Sequence, residues 1–381
     1  MLFLIHMREK KKIAIISAFP AWIIDPSIPS TNSHYAVWLV SLYEALPQYC
    51  QDFEFHWITF SKGIKRSKHF ISNGQHFHVF PKTSLRIGQL THYIRERFII
   101  SRILKQIKPD IVHTWGTEEF YGLSAKNHKG KKLLSMQGVL TAYAERAPMP
   151  SFQLKQRKFE VETMRAYPII TAESPWAADR CKEIAPNASV QLWEYAANED
   201  FFHVERNISD TPSFLLAGTN TPIKDVPSAI EAFSSPQLAQ ITLYLAGVSK
   251  EQYPNLPTNI IALGRLNRTD MRKYLSSVWG VVHPSLADCC PNIIKEARAM
   301  GIPCIVTEEC GAKQYVVHGK SGFIIPIKSP NQIIESVLRI SQDKNTTLTM
   351  GTYDQDRCRE ALSAQTMVSQ ILSIYNNILN N

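Results

Sequence analysis

Two acidic residues eight positions apart, Asp288 and Glu296, have the types and spacing to bind a ligand rich in hydroxyl groups. Asp288 precedes a predicted helix, Pro291 suits its first turn, and Glu296 lies inside it. The N–H groups at a helix start bind phosphates, and a carboxylate accepts paired hydrogen bonds from vicinal hydroxyls. The pattern predicts a site for a sugar diphosphate. Taken alone, Asp288 is equally an N-terminal cap and Glu296 a solvated position.

Short apolar strands alternate with helical stretches along the whole sequence, which predicts an α/β protein with mostly parallel sheets. Strands are predicted in the first half at Lys12–Ala18, Phe53–Phe60, Gln75–Phe80, Asp110–Thr114, Lys132–Met136 and Pro168–Ala172. Strands are predicted in the second half at Ser213–Ala217, Ile241–Ala246, Asn259–Leu263, Gly280–His283, Cys304–Thr307 and Gly322–Ile325. The main helical patterns are Tyr35–Leu46, Leu90–Ile107 and Asp356–Leu379. Two doubly wound, Rossmann-like sheets are expected, with ligands bound at the carboxyl ends of their strands.

The length of 381 residues favours two domains over one. We expect a first domain at 8–195, a second at 196–355, and a terminal helix at 356–381 that packs back on the first domain. The two sheets are expected to join near Trp193–Asn198. Two such domains facing each other would share a cleft.

The composition indicates a folded protein with reduced thiols: 44% of residues are apolar, 20% are charged, and the seven cysteines have no zinc-ligand spacing. The apolar run Met1–Met7 is too short for a membrane span or a secretory signal and is expected to be a flexible start. We therefore expect a cytoplasmic protein.

A longer motif surrounds the two acidic residues. It contains, in order, Pro284-Ser285, Asp288, Glu296-Ala297-Arg298-Ala299-Met300-Gly301-Ile302-Pro303, Gly311 and His318-Gly319-Lys320-Ser321-Gly322. This order resembles the C-terminal domain of the retaining glycosyltransferases of family 4, which have the GT-B fold of two facing Rossmann-like domains. The resemblance implies transfer of a sugar from a nucleotide-sugar donor to an acceptor, with no metal or other cofactor.

Weaker similarities extend the resemblance over nearly the whole chain. They are Gly218 followed by Lys224, Gly264, the run Lys108–His113, the step Glu173-Ser174, and the hinge Asn198–Phe202. In the first half, the resemblance implies that His113 contacts the donor sugar or the charge that develops as the sugar is transferred. The alternative for His113 is a packed histidine at a strand end.

In the second half, the resemblance implies one donor-binding site. Lys224 and the helix start at Pro291 and Asn292 would stabilise the leaving diphosphate, while Glu296 would hold the ribose hydroxyls. Asp288, with backbone groups near Cys290 and Asn292, would hold the sugar hydroxyls. Gly218 and Gly264 belong to the segments that surround the diphosphate and the base.

The sequence also departs from the family pattern. The departures are Asp288 in place of Glu, Thr219 in place of Arg, Trp115 in place of a second His, Gln314 in place of an acid, and a loop Pro26–His34 without paired glycines. They leave two alternatives open: a non-catalytic homologue that binds a nucleotide or a protein partner, and a nucleotide-sugar epimerase. The Asp354-Gln355-Asp356 run is an unsuitable metal site because it precedes the terminal helix.

The net charge of +9 is concentrated in residues 61–108, which contain eleven Lys or Arg residues and one acid, Glu96. A basic patch indicates an anionic partner, such as a membrane surface or a lipid-linked acceptor. A solvated helix face is the alternative. Nucleic acid is disfavoured because few aromatic residues interleave and no recognition motif is present. The expected role is surface polysaccharide or lipopolysaccharide biosynthesis, with peripheral contact at the inner membrane face.

Overall fold

The computed structural model describes residues 10–30 and 36–380. The run Met1–Met7 and residues 31–34 of the predicted glycine-free loop lie outside the described residues. Within them, the chain forms two open sheets, and strands alternate with helices in both halves of the sequence as predicted. The predicted α/β class with two doubly wound domains is confirmed.

The first sheet has eight strands in the order β3-β4-β2-β1-β5-β6-β7-β8. The strands are β1 (Lys11–Ile16), β2 (Phe53–Ser61), β3 (Lys68–Ser72), β4 (Gln75–Pro81), β5 (Ile111–Trp115), β6 (Lys132–Ser135), β7 (Ile169–Ala172) and β8 (Ser189–Leu192). All neighbours are parallel except β3 and β4. The edge strands β3 and β8 were not predicted, because their half-exposed residues form no apolar run.

Seven helices accompany this sheet before the second one begins. They are α1 (Val37–Tyr49), α2 (Leu85–Leu90), α3 (Ile94–Ile107), α4 (Tyr121–Ser124), α5 (Leu140–Arg146), α6 (Ser151–Arg165) and α7 (Pro175–Ile184). The helix predicted at Leu90–Ile107 begins later, at Ile94. His92 and Tyr93 adopt left-handed backbone angles, each with φ of 51°, and such residues end a right-handed helix.

The second sheet has six parallel strands in the order β11-β10-β9-β12-β13-β14. Its strands are β9 (Ser213–Ala217), β10 (Thr242–Ala246), β11 (Ile260–Gly264), β12 (Gly280–His283), β13 (Cys304–Thr307) and β14 (Gly322–Ile325). All six lie within one residue of their predicted bounds.

Seven further helices belong to the second half. They are α8 (Val226–Phe233), α9 (Arg268–Ser277), α10 (Asn292–Ala299), α11 (Pro330–Ile340), α12 (Lys344–Thr352), α13 (Gln355–Ala361) and α14 (Ala364–Asn380). Short 3₁₀ helices occur at Ala21–Ile23, Glu199–Phe201, Pro222–Lys224, Pro236–Leu238, Lys250–Gln252 and Gly311–Tyr315. Among the described residues, no helix combines the length and apolar character that a membrane span requires.

Both sheets are buried on both faces, as expected for parallel strands between helices. In β12, Val281 packs in the cluster that holds α10, while Val282 packs on the opposite face with α8 and α11. In β2, Trp57 packs towards α1 and Ile58 towards α3. This alternation fixes the strand register, because a slip of one residue would exchange the two faces.

The chain crosses between the sheets twice. The first crossing is the segment Trp193–Asn198, and the second joins α13 to α14. They are hydrogen-bonded to each other, since the Ala197 amide donates to the Leu362 carbonyl at 3.0 Å. Beyond the second crossing, α14 packs on the first sheet beside α1. The first domain therefore consists of β1–β8 with α1–α7 and α14, and the second domain consists of β9–β14 with α8–α13.

Candidate functional site

The order of strands in the second sheet decides which loops meet. Its strand order reverses between β9 and β12, which is the point where doubly wound sheets bind ligands. The loop after β9 carries Gly218 and Lys224, and the loop after β12 carries Asp288. The topology therefore brings together two predicted donor-binding residues that are 64 positions apart in sequence.

Asp288 lies at the centre of a polar cluster, here called the switch-point cluster, with Lys224, His283 and Ser285. The Lys224 ammonium donates a hydrogen bond to Asp288 Oδ2. His283 Nε2 lies 2.9 Å from Asp288 Oδ2 and 2.9 Å from Ser285 Oγ. Burial alone would raise the pKa of Asp288, but Lys224 and His283 hold that pKa well below its usual range. The carboxylate is therefore ionised at neutral pH and neutralises the cation predicted to bind the diphosphate.

A cavity of about 770 Å³ lies between the two domains. The first domain contributes Trp22, Trp38 and Glu44, and the second domain contributes Arg265, Arg268, Asn292 and Glu296. Between them, Asn198 ends the first crossing and Phe201 ends the 3₁₀ helix that follows it. Gly264 begins the loop that reaches the cavity, with φ of +67° and hydrogen bonds to the 247–248 turn. The cavity matches the size range of small-molecule sites and is lined by both apolar and polar groups.

Glu296 is the carboxylate that enters this cavity from α10. Burial raises the pKa of Glu296 to about 7, and the nearby Lys295 and Arg268 lower it only in part. Its side chain makes no hydrogen bond or ion pair with any other described residue. The Glu296 carboxylate therefore lines the cavity and can accept hydrogen bonds from the hydroxyl groups of a ligand.

The start of α10 lies between Asp288 and Glu296. Pro291 is the residue before the helix and Asn292 is its first residue, so the first amides of α10 have no partner within the helix. Asn292 lines the cavity. The neighbouring thiols of Cys289 and Cys290 are buried in two different apolar clusters, and burial raises both thiol pKa values well above their usual range. Both thiols therefore act as packing groups.

The first domain contacts the loop that carries Asp288. The Ser174 hydroxyl donates to the Cys289 carbonyl at 2.7 Å, and the Cys289 amide donates to the Tyr143 hydroxyl at 3.3 Å. Arg146 pairs with Glu309, which lies shortly after β13, at 2.7 Å. These contacts fix the Asp288 loop relative to the first domain.

A buried ion pair joins the domains behind the cavity. Lys295 Nζ on α10 lies 3.2 Å from Glu173 Oε2 at the end of β7, and it also donates to the Tyr195 carbonyl at 3.2 Å. Their side chains are only 1% and 8% exposed. Burial raises the pKa of Glu173 to about 7, although Lys295 opposes the shift.

The sequence-based role of His113 needs correction, because its ring does not reach the cavity. His113 is fully buried on β5, with Nδ1 at 2.7 Å from the Tyr375 hydroxyl of α14 and Nε2 at 2.6 Å from Ser135 Oγ. It also stacks on Trp115, and burial lowers the pKa of its ring to about 3. The His113 imidazole is therefore neutral, and hydrogen bonds at both of its nitrogens link the first sheet to α14. This agrees with the alternative of a packed histidine.

From the sequence, no contact at the site was predicted for His283, Glu173 or Lys295. His283 is the last residue of β12, and Glu173 directly follows β7. Their position at the end of a buried strand is a usable signal, because the carboxyl ends of parallel strands meet at one edge. Lys295 carried no such signal, since a lysine inside a helix is usually exposed.

Comparison with solved structures identifies the architecture as the GT-B fold. The chain matches sucrose-phosphate synthase (tll1590) from Thermosynechococcus elongatus with a TM-score of 0.78 and 15% identity, covering 97% of this chain and 100% of that one. It matches Anabaena Alr3699/HepE in complex with UDP and glucose with a TM-score of 0.69 and 13% identity, covering 96% and 100%. At such identities the likeness shows the fold alone.

Residues 211–343 match the family model of the Glycosyl transferases group 1. The match covers about a third of the chain and confirms the predicted resemblance at the level of group 1 glycosyltransferases, whereas family 4 stays a prediction. The capsular polysaccharide biosynthesis glycosyltransferase CapM of Staphylococcus aureus is 30% identical over 98 residues, 26% of each chain. The UDP-Gal:alpha-D-GlcNAc-diphosphoundecaprenol alpha-1,3-galactosyltransferase of Escherichia coli is 32% identical over 90 residues, 24% of this chain and 23% of the relative. The chain thus aligns with about a quarter of the length of these relatives.

Proposed function

We propose that this protein transfers a sugar from a nucleotide-sugar donor to a glycan or lipid-linked acceptor, with retention of anomeric configuration. The observation that carries the proposal is the interdomain cavity, in which Glu296 presents an unpartnered carboxylate beside the first amides of α10. The group 1 match supports it because it covers the strands and helices that build this side of the cavity.

In the proposed complex, Glu296 accepts hydrogen bonds from the ribose hydroxyls, and the diphosphate lies at the start of α10 near Asn292. The positive end of the helix dipole favours the diphosphate charge there. Lys224 leaves Asp288 for the diphosphate, and Asp288 then accepts hydrogen bonds from the sugar hydroxyls. After this exchange, Lys224 is paired with the diphosphate and Asp288 is hydrogen-bonded, so neither charged group is left without a partner in a partly buried site.

The proposed reaction breaks the bond between the anomeric carbon and the diphosphate oxygen, and the electron pair leaves with the diphosphate. The acceptor hydroxyl bonds to the same face of the sugar, and its proton passes to the leaving diphosphate. Lys224 and the amides of α10 stabilise the developing negative charge, which is where preorganised dipoles lower a barrier most. No metal enters this scheme, so chelation with EDTA is expected to leave the transfer rate unchanged.

A thermal-shift screen with UDP, GDP, ADP and their sugar conjugates tests the donor site. A nucleotide at a hundredfold excess over its Kd stabilises the folded chain by about 2.7 kcal/mol. Glu296→Ala and Lys224→Ala should abolish the shift. Glu335→Ala is the matched control, because Glu335 is an exposed carboxylate on α11 that does not line the cavity. A shift that survives in Glu296→Ala would place the nucleotide elsewhere.

A nucleotide-binding protein without transferase activity is the second candidate. It is favoured by the Lys224–Asp288 pair and by the burial of His113. The two functions separate when the stabilising nucleotide sugar is incubated with lipid-diphosphate-linked glycans. Release of free nucleotide that depends on the acceptor supports the transferase, whereas binding without release supports the second candidate.

The names of the relatives direct the choice of acceptors. CapM is named for capsular polysaccharide biosynthesis, and the Escherichia coli relative is named for a diphosphoundecaprenol acceptor. We therefore propose surface polysaccharide biosynthesis as the role of this chain, and UDP-sugars with undecaprenyl-diphosphate-linked sugars as the first pairs to assay.

We also propose a peripheral contact between the first domain and an anionic membrane surface. Ile87, Leu90, Ile94 and Phe98 on α2 and α3 are each more than half exposed, with Leu90 reaching 76%. The one acid of this region, Glu96, is buried. The exposed basic residues around these side chains are Arg86, Arg95, Arg102, Lys105 and Lys108. Apolar side chains within a basic rim are typical of surfaces that lie on anionic lipid.

Co-sedimentation with phosphatidylcholine vesicles, with and without phosphatidylglycerol, tests this contact. Binding should require the anionic lipid, weaken with salt, and fall strongly in Leu90→Ser/Phe98→Ser. Leu338→Ser, a partly exposed leucine on α11, is the control and should bind normally. Binding that is absent, or indifferent to both lipid charge and salt, would refute the contact.

A further inference from the structure

Five titratable side chains outside the cavity lie on one face of the first sheet near its β3 edge. Glu54 and His56 are on β2, His76 and His78 on β4, and His69 on β3. His56 is opposite His76 in the β2–β4 pair, and His69 is opposite His78 in the β3–β4 pair. Residues two apart in a strand share a face, so this pairing places all five side chains on the same face of the sheet. We call this group the histidine face.

Three members of the histidine face have the geometry of metal ligands. One side-chain ligand atom from each of Glu54, His56 and His76 lies within 4.8 Å of the other two. The rings of His56 and His76 are stacked with centroids 4.6 Å apart. Zinc bonds of about 2.0–2.2 Å separate the ligand atoms of one ion by roughly 3.4 Å. The three ligand atoms are therefore close to the spacing that a single zinc ion requires.

The other two members occupy the positions of outer partners. His56 uses Nε2 to contact Glu54 Oε1 at 2.7 Å and Nδ1 to contact His78 Nε2 at 3.1 Å. His78 Nδ1 in turn lies 3.0 Å from His69 Nδ1. A histidine that binds a metal through one nitrogen usually donates the N–H of the other to a fixed acceptor, which orients the ring. With Nε2 of His56 directed towards an ion, His78 provides that acceptor.

Burial and access also suit an ion. The His56 side chain is buried, so its ring is fixed, whereas His76 and Glu54 are half-exposed and leave a path from solvent. No residue in the described part of the chain forms a hydrogen bond with the ring of His76. Both of its nitrogens are therefore available.

We propose that Glu54, His56 and His76 form a binding site for a divalent transition-metal ion of the zinc class. One carboxylate with two imidazoles is a ligand set that zinc accepts, with water at the fourth position. The bound ion would connect β2 to β4 and thereby stabilise the edge of the first sheet. It lies apart from the cavity, so it takes no part in the proposed transfer.

The test uses chain without a histidine tag, stripped with EDTA and dialysed. Zn²⁺ titrated by calorimetry should bind with a stoichiometry near one and raise the thermal midpoint. Co²⁺ should give the visible absorption of a site with nitrogen ligands. Glu54→Gln and His76→Gln should each weaken Zn²⁺ binding by more than about tenfold. His203→Gln, which replaces an exposed histidine outside the face, should bind as the wild type does.

Circular dichroism of each variant confirms that it is folded before metal is added. The proposal is overturned if the folded wild type binds no Zn²⁺, or if Glu54→Gln and His76→Gln bind as tightly as the wild type. In the first case the histidine face is a hydrogen-bonded stack only. Because nucleotide binding is measured separately in the cavity, failure of this site leaves the transferase proposal intact, and the reverse also holds.

Discussion

Asp288 and Glu296 are two carboxylates eight residues apart whose surroundings shift their pKa values in opposite directions. The pKa of Asp288 is held low by Lys224 and His283 despite its burial, whereas burial raises the pKa of Glu296 to about 7. Environments that separate the pKa values of neighbouring acids indicate different roles. Asp288 is a permanent anion that holds a cation, and Glu296 gains or loses its charge near neutral pH.

The first prediction concerns the pH dependence of nucleotide binding. Glu296 is largely neutral below pH 7 and ionised above it, and hydrogen bonds from ribose hydroxyls favour the ionised form. The affinity for UDP should therefore rise roughly tenfold between pH 6 and pH 8, as linkage requires. Calorimetry at both values measures it. Glu296→Gln retains only the dependence that comes from UDP itself, so an equal slope in the variant would contradict the assignment.

The second prediction is a stability change at Asp288. Asp288→Asn leaves Lys224 and His283 without their anion and should lower the free energy of unfolding by roughly 1–3 kcal/mol at pH 7, since Lys224 keeps some contact with water. A depressed pKa stabilises the fold above the unfolded value of 3.8, so the difference should shrink as pH falls below about 4. Urea unfolding at several pH values measures it. Asp210→Asn, at an exposed carboxylate, is the control.

At the scale of elements, two loops position the site by fitting closely against each other. The 3₁₀ helix Gly311–Tyr315 packs on the loop that carries Asp288, and the Gly311 amide donates to the Asp288 carbonyl at 2.8 Å. A Cβ atom on Gly311 would lie 1.7 Å from the Cys289 carbonyl and 2.2 Å from Ser174 Oγ. The close approach requires a residue without a side chain.

The third prediction rests on this contact. Gly311→Ala must displace the Asp288 loop, because the nearest atom belongs to the backbone. It should cost about 1–3 kcal/mol or more in unfolding free energy and weaken nucleotide binding. Gly218→Ala is the matched control for stability, since its Cβ would lie 3.6 Å from Lys224 Cγ, an ordinary contact. Thermal unfolding of both variants compares them, and equal midpoints would contradict the steric argument.

At the scale of the whole molecule, polar contacts between the domains set the geometry of the cavity. Ser174, Arg146 and Glu173 of the first domain each bond to the second domain near the Asp288 loop or α10. Among them, the Glu173–Lys295 pair is almost fully buried. Breaking one partner of such a pair is costly, whereas replacing both can be neutral.

The fourth prediction concerns that pair. Lys295→Met should lower the unfolding free energy by about 3–5 kcal/mol, because Glu173 remains buried without a cation. The folded pKa of Glu173, already about 7, rises further, so the charged form is disfavoured and the loss should be greater at pH 8 than at pH 6. Glu173→Gln/Lys295→Met should recover stability and lose the pH dependence. Chemical unfolding at the two pH values provides the measurement.

Local patterns in the sequence predicted most of the fold. Every strand with a buried apolar run was found within two residues, and only the edge strands β3 and β8 were missed. The motif around Asp288 and Glu296 also predicted the start of a helix between the two acids, and α10 begins there. These predictions succeeded because burial, helix starts and strand ends each produce a recognisable pattern of residue types within a short segment of sequence.

The sequence by itself determined the class of fold, the motif and the two carboxylates. Only the tertiary structure decided which groups those carboxylates face. Lys224 meets Asp288 because the strand order reverses between β9 and β12, and Glu173 meets Lys295 because two domains dock. His113 lies outside the cavity and is hydrogen-bonded to Tyr375, which is 262 positions away in sequence. Contacts between distant segments depend on how sheets and helices pack, and the local periodicity of a sequence does not encode that arrangement.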